Sequence, residues 1–325
     1  MNRRTALMAA AAAATLGFVA PAQAQGVDPN LPKYTPVSGI SGSLKSIGSD
    51  TLNNLMTLWV EGFGKAYPNV KIEIEGKGSS TAPPALVAGT AQFGPMSRPM
   101  KGAEIDAFEK KYGYKPAVIR GAVDALAVYV HKDNPIKCMT MQQVDAVFSK
   151  TRKGGGDKDI TNWSQLGVEG EWANKPISLY GRNSASGTYG YFKEVALFNG
   201  DFKDAVKEQP GSSTVVQGVA SDKFAIGYSG IGYKTADVKA VPLAAKPGGK
   251  CVEATAEMAY AGDFPLARFL YIYTNVNPNQ PVEPVRAEFI KFIYSQEGQA
   301  ATVKDGYFPV TSAIAAEDLK TMKIK

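Results

Sequence analysis

Three short runs of small and hydroxylated residues carry the chemistry open to this sequence. Gly48-Ser49-Asp50-Thr51 follows an apolar run and enters a helical pattern. Gly76-Lys77-Gly78-Ser79-Ser80-Thr81 follows a β-branched run and meets Pro83 and Pro84, which suit an early helical turn. Arg182-Asn183-Ser184-Ala185-Ser186-Gly187-Thr188 leaves a third such run and opens another helical pattern. Each sets hydroxyls and free backbone N–H groups at a helix start, where four amides lack partners and the dipole is positive. Such an end holds a phosphate-like anion without a metal, and glycine lets the backbone come close to it. Arg182 adds a planar fork suited to a tetrahedral oxyanion. One Ser, Thr or Asp before a helix is usually only a cap, worth about 1 kcal/mol. Three such starts with an arginine point to an anion site.

The elements that must position these turns follow from the hydrophobic pattern. Candidate strands cover residues 44–47, 70–75, 125–130, 177–180, 224–228 and 268–274. The clearest helix begins near Thr51, with Leu52, Leu55, Met56, Trp59 and Phe63 at helical spacing. Further helical patterns cover residues 104–112, 142–148, 188–198 and 285–294. The alternation predicts an α/β fold with largely parallel sheets, whose ligands sit at the carboxyl ends of strands. A chain of 325 residues usually divides in two. Apolar strands running into polar turns suggest crossings near residues 124–130 and 262–268. One lobe would then comprise residues 44–130 plus 266–325, and the other 131–265. Residues 25–43, rich in Pro, Gly and Ser, read as a flexible leader, and 150–159 as a mobile surface loop.

Several functions are disfavoured. A formal net charge of +6 is mild and spread along the chain, which argues against nucleic acid. A single histidine, His131, excludes a His-rich metal centre, and no cofactor motif is present. Gly227-Tyr228-Ser229-Gly230-Ile231-Gly232 lacks the spacing of a nucleophile elbow and reads as a turn leaving a strand. At the amino end, Arg3 and Arg4, an Ala-rich apolar stretch over 6–20 and Ala22-Gln23-Ala24 read as a secretion signal cleaved after Ala24. The stretch is shorter than the roughly 20 residues of a spanning helix. Removing residues 1–24 takes away two arginines and no acid, lowering the charge from +6 to +4. The mature protein is expected in a periplasm, where Cys138 and Cys251 are free to oxidise. Both fall in the second lobe, as a disulfide or as two separate buried thiols.

With these motifs in order, joined by Phe93-Gly94-Pro95-Met96-Ser97-Arg98, the chain resembles the phosphate-binding proteins of high-affinity bacterial phosphate ABC transporters. The resemblance runs from about Leu44 to Tyr307. It implies the two-lobed periplasmic-binding-protein fold, each lobe a mostly parallel sheet flanked by helices, joined by a two-stranded hinge. The lobes would close over one dehydrated phosphate, and the loaded protein, a monomer and not an enzyme, would dock on a membrane permease. By motif position, Thr51 and Leu52 would offer amides and Thr51 its hydroxyl, with Ser79 and Ser80 beside them. Arg182 would supply the charged contact, and Ser186, Gly187 and Thr188 the donors of the second lobe.

Two positions depart from the family's pattern. The acid expected after the phenylalanine-glycine strand is Ser97, followed by Arg98, and the acid expected two residues after the site arginine is Ser184. The carboxylate that accepts the proton of hydrogen phosphate is therefore assigned to Asp50, or failing that to Asp124, with Arg98 on phosphate or bracing Asp50. Ser97 keeps open a receptor for sulfate, molybdate or tungstate, since a fully ionised oxyanion needs no acceptor. An exported phosphomonoesterase using Ser79 or Thr51 is a weaker alternative, for no base is evident beside either.

Overall fold

The computed structural model describes residues 26–325, so the expected signal, residues 1–24, lies outside the described residues. The first stretch runs β1 (Gly42–Ile47), α1 (Asn53–Ala66), β2 (Val70–Glu75), α2 (Ala82–Ala88), β3 (Phe93–Met96), α3 (Gly102–Tyr112) and β4 (Ala117–Ala125). The second runs β5 (Ala127–His131), β6 (Met139–Thr140), α4 (Met141–Phe148), β7 (Ser178–Arg182), α5 (Gly187–Val195), β8 (Lys207–Gln209), α6 (Ser212–Ser221), β9 (Ala225–Ser229), β10 (Val238–Ala240), β11 (Leu243–Ala244) and α7 (Ala256–Ala261). The chain then returns through β12 (Ala267–Thr274), α8 (Pro284–Ile293), α9 (Gln296–Lys304) and α10 (Ser312–Thr321).

Two five-stranded sheets result, ordered β2-β1-β3-β12-β4 and β10-β5-β9-β7-β8. In the first sheet only β12 runs against the rest, and in the second only β5 does. Those two strands lie beside the places where the chain changes lobe. Adjacent β4 and β5 flank Leu126, β12 begins after Leu266, and the Leu126 N–H donates to the Leu266 carbonyl at 3.0 Å. The hinge is thus two-stranded. Strand β5 finds its partners β9 and β10 in the second sheet.

Each lobe has its own core. Trp59, Phe63, Phe289 and Ile293 anchor the first, and Phe148, Trp163, Phe192 and Tyr228 the second. Trp59 is fully buried, its indole N–H donates to the Gly298 carbonyl at 2.8 Å, and its ring fills the space that a Cβ at Gly121 would need. Helix α1 is thereby fixed against α9 and β4, which fixes the turn that precedes it.

The segment expected as a flexible leader is tied down. Leu31 is 2% exposed, Tyr34 bonds the Tyr67 hydroxyl and Glu288, and Asp28 accepts from the Ser312 amide at the start of α10. Overall Pro, Gly and Ser content conceals such single anchors. The 150–159 loop is irregular yet held, with the Gly154 N–H on Asp145 at 2.7 Å and Lys153 on the Asn199 carbonyl. Cys138 and Cys251 form a disulfide.

Candidate functional site

The three small-residue turns converge between the lobes. In the first lobe, β1 ends at Ile47 and the chain makes a 3-10 turn, Asp50–Leu52, before α1. A second 3-10 turn, Ser79–Thr81, follows β2, and Ser97 follows β3. In the second lobe β7 ends on Arg182, and Ser186 caps α5, its Oγ accepting from the Thr188 and Tyr189 amides at 3.1 and 3.3 Å. All three sit just past the carboxyl ends of parallel strands, where α/β sheets place their ligands.

Their hydroxyls form one buried cluster. Ser97 Oγ lies 3.1 Å from Ser49 Oγ, 3.2 Å from Ser79 Oγ and 3.3 Å from Thr188 Oγ1, and the Ser97 N–H donates to Ser79 Oγ at 3.0 Å. Thr51 Oγ1 and Thr188 Oγ1 are 2.9 Å apart, bridging the lobes. Ser49, Thr51, Ser79, Ser97 and Thr188 are each at most 3% exposed. Hydroxyls both give and accept, so a cluster of them can turn its protons toward an anion without leaving an orphaned donor. Close approach is what makes glycine necessary here. A Cβ at Gly187 would overlap Ser79 Oγ, and one at Gly78, whose φ is 120°, would lie 2.5 Å from the Ala185 carbonyl oxygen.

Two arginine–aspartate pairs flank the cluster. Arg182, 1% exposed, donates to Ser212 Oγ at 2.7 Å and the Pro210 carbonyl at 3.0 Å, while its Nη1 lies 3.3 Å from Asp50 Oδ2. Asp50 also accepts from the Ser212 N–H, at 2.7 Å, so a first-lobe carboxylate sits on the amino end of second-lobe α6. Arg268 donates to Asp124 Oδ2 through Nε and Nη2 (2.9 and 2.8 Å), to the Ser97 carbonyl at 2.7 Å and to Thr188 Oγ1 at 3.0 Å. Asp124 is completed by the Ile231 N–H at 2.8 Å. Burial lowers the pKa of Arg182; Asp50 and the Tyr228 and Tyr233 hydroxyls oppose that, and the nearby Arg268 charge adds to it. Tyr233 donates to the Asp50 carbonyl and Tyr307 to that of Thr51, both phenols held neutral by burial, so they act as fixed donors.

Most of the residues expected from sequence meet here. Thr51, Ser79, Ser97, Gly187 and Thr188 lie in or against the cluster, and Asp50 and Arg182 border it. Ser186 serves as the cap of α5, and Leu52 is a core side chain that offers only its backbone. Ser80 has an exposed side chain and contributes its N–H to the Ala185 carbonyl at 3.1 Å, a bond between lobes. Arg98 departs from expectation. Its guanidinium is taken by Glu104 (2.8 and 2.7 Å) and the Pro99 carbonyl, and Arg182 rather than Arg98 braces Asp50. His131 bonds locally to the Asp133 amide.

Sequence reasoning missed Arg268 and Ser212. The Pro210-Gly211-Ser212 turn before α6 has the same small-residue signature as the other three and could have been read. Arg268 could not, because its place depends on the register that sets it opposite Asp124 across β12 and β4. A separate cleft of about 720 Å3 behind the hinge, lined by Val123, Tyr260, Phe269 and Val310, also reaches Arg268. Its walls are largely apolar, unlike the cluster, and it offers an anion little beyond that one side chain.

Residues 32–297 match the PBP superfamily domain. The chain is 55% identical over 316 residues to the phosphate-binding protein PstS of Pseudomonas aeruginosa, covering 97% of this chain and 98% of that protein. It is 29% identical to the phosphate-binding protein PstS of Staphylococcus epidermidis, over 81% of this chain and 77% of that one. Among solved structures, one described as a phosphate ABC transporter substrate-binding protein from Clostridium perfringens, with phosphate bound, superposes with a TM-score of 0.69 at 28% identity, covering 83% of this chain and 100% of that one. An ABC-type phosphate transport receptor from Vibrio cholerae shares the fold, with a TM-score of 0.63 at 21% identity over 82% of this chain and 100% of that one.

Proposed function

The chain belongs to the PBP superfamily and, within it, to the phosphate-binding PstS proteins, and from that premise we propose that it captures inorganic phosphate between its lobes and delivers it to the permease of an ABC importer. The observation that carries this reading is the buried hydroxyl cluster joined across the lobes by Thr51 and Thr188 and flanked by Arg182 and Arg268. A dianion leaves water only if nearly every lone pair is met. Each charge-assisted hydrogen bond returns roughly 1.5–3 kcal/mol net, so several are needed. Hydroxyls, the amides of the 3-10 turns and the Arg182 guanidinium supply them, with Arg268 standing behind the Thr188 hydroxyl. Each arginine is already matched by an aspartate, so the donors hold the anion without a large net charge that would slow its release.

Ligand binding and closure are one event, because only closure brings Thr188 to Thr51 and Ser97. The lobes divide at Leu126 and Leu266, with residues 26–41 packed on the first. Asp50 Oδ1 accepts the proton of hydrogen phosphate while Oδ2 stays on the Ser212 amide and Arg182, which gives phosphate its preference over sulfate. The site binds and releases without catalysis. Residues 1–24 direct export and are removed after Ala24, the mature monomer works in the periplasm, and the Cys138–Cys251 disulfide suits that oxidising compartment. No helix among the described residues is long and apolar enough to cross a membrane. Small-angle scattering of ligand-stripped protein tests the closure: phosphate should shrink the radius of gyration, and an unchanged radius at saturating phosphate would contradict capture between lobes.

A further inference from the structure

We propose that Arg268 is a positioning residue for phosphate capture: held by Asp124 at the hinge, it donates to the Thr188 hydroxyl and turns that hydroxyl's proton toward the anion. The proposal rests on the phosphate reading of the site and adds to it a residue outside every motif that suggested that reading.

A threonine hydroxyl carries one proton and two lone pairs, whereas a guanidinium only donates. The 3.0 Å bond from Arg268 Nη2 therefore occupies a lone pair of Thr188 Oγ1 and leaves its proton to point elsewhere. The remaining neighbours are Ser97 Oγ at 3.3 Å and Thr51 Oγ1 at 2.9 Å, both inside the cluster. The Arg268 Nη1 bond to the Ser97 carbonyl, 2.7 Å, fixes the opposite wall of the cluster with the same side chain.

Arg268 is itself held by Asp124 and Tyr191. Asp124 lies directly across from it in the β12–β4 register and receives two of its N–H bonds. The ring of Tyr191, on α5, lies against the guanidinium with its centroid 5.2 Å from Cζ, and the Tyr191 hydroxyl donates to the Ala267 carbonyl. The Arg268 side chain is 2% exposed and that of Asp124 fully buried. Asp124 and Arg268 stand within two residues of the crossings at Leu126 and Leu266, while Thr188 comes from the other lobe. The Arg268–Thr188 bond therefore exists only when the lobes close, so closure itself orients the donor that the anion meets. The Arg268 charge lies close enough to Arg182 to disfavour the charge there. An anion between them relieves that repulsion, which favours loading in the closed form.

A double-mutant cycle with Thr188→Val tests this, read by titration calorimetry with phosphate. Arg268→Gln strands a buried carboxylate and can fail to fold, so Arg268→Lys, which keeps the charge beside Asp124 but loses the fork, is run beside it with thermal melting of the ligand-free proteins as the control. In the otherwise unaltered chain Arg268→Lys should weaken phosphate binding about tenfold or more. In the Thr188→Val background, where there is no hydroxyl to orient, the same change should cost less than about threefold. Equal losses in both backgrounds would overturn the positioning role, since an arginine acting directly on phosphate or only on folding gives that result. Silence of the unaltered protein toward phosphate would sink the phosphate reading alone, and the cycle is then read with sulfate. Silence toward both would sink the two together.

Discussion

The hydroxyls of Thr51 and Thr188, 137 positions apart in the sequence, meet 2.9 Å from one another. One belongs to the 3-10 turn ahead of α1, the other to the first turn of α5, so two helix starts from different lobes face each other. Neither lobe alone surrounds an anion. The pairing makes binding depend on the angle of a hinge that carries Asp124 and Arg268.

Gly187 sets how far that hinge can close. A Cβ there would overlap Ser79 Oγ and lie 2.7 Å from Ser97 Oγ. Gly187→Ala should leave each lobe folded, with a melting temperature near that of the unaltered protein without ligand. Phosphate binding should weaken at least about tenfold, because one or more cross-lobe bonds of about 1 kcal/mol or more are lost. Retained affinity would mean that the lobes do not approach this closely when loaded.

Asp50 is expected to set ion selectivity. Sulfate has no proton to give at neutral pH, so a carboxylate facing it is left opposed to negative charge. Asp50→Asn should lower the phosphate-over-sulfate affinity ratio by about ten- to hundredfold, the equivalent of about 1.4–3 kcal/mol. An unchanged ratio would move the proton acceptor away from Asp50.

These residues differ in how far the sequence revealed them. The starts of α1 and α5 were legible because caps, glycines and hydroxyls are local signals that need no partner. The strand carrying Arg268 was legible too, through its alternation. Its function was not: the guanidinium acts only because an antiparallel register sets it opposite Asp124, 144 positions away. Arg98 shows the converse. It stands beside a site motif in sequence, but Glu104, on the first turn of α3, reaches back and takes it. Leu31 was hidden by composition, since a buried leucine helped by Tyr34 and Asp28 fixes a segment whose average looks flexible.

The Cys138–Cys251 disulfide should matter for stability and not for binding. It joins positions 113 apart beside the short β6–β11 pair, and neither cysteine touches the hydroxyl cluster. A disulfide typically stabilises by about 2–4 kcal/mol, largely through the unfolded chain. Reduction, or Cys138→Ser with Cys251→Ser, should lower the denaturation midpoint while phosphate affinity stays within about twofold. A large loss of affinity at full folding would tie the second lobe's outer edge to the site.

Asp305 gives stability a pH dependence of known sign. Burial raises its carboxyl from the ordinary 3.8 to about 7, and its Oδ2 has no hydrogen-bond partner. The folded chain keeps this proton up to about pH 7 while the unfolded chain releases it near 3.8, so the group erodes stability as pH rises across that interval. Asp305→Asn removes the penalty. It should raise the melting temperature at pH 8, by the equivalent of about 1–3 kcal/mol, and change it little at pH 4. Equal effects at both pH values would show that the carboxyl is not buried in this way.

The most direct test of phosphate capture is titration calorimetry of unfolded, ligand-stripped and refolded mature protein with phosphate and with sulfate, at pH 6 and pH 8. Stripping is essential because a tight site retains its ligand through purification. Tight phosphate binding at one site per chain, with sulfate silent at both pH values, is the expected result. Sulfate binding with phosphate silent would contradict it, and would make Ser97 the mark of a receptor for fully ionised oxyanions.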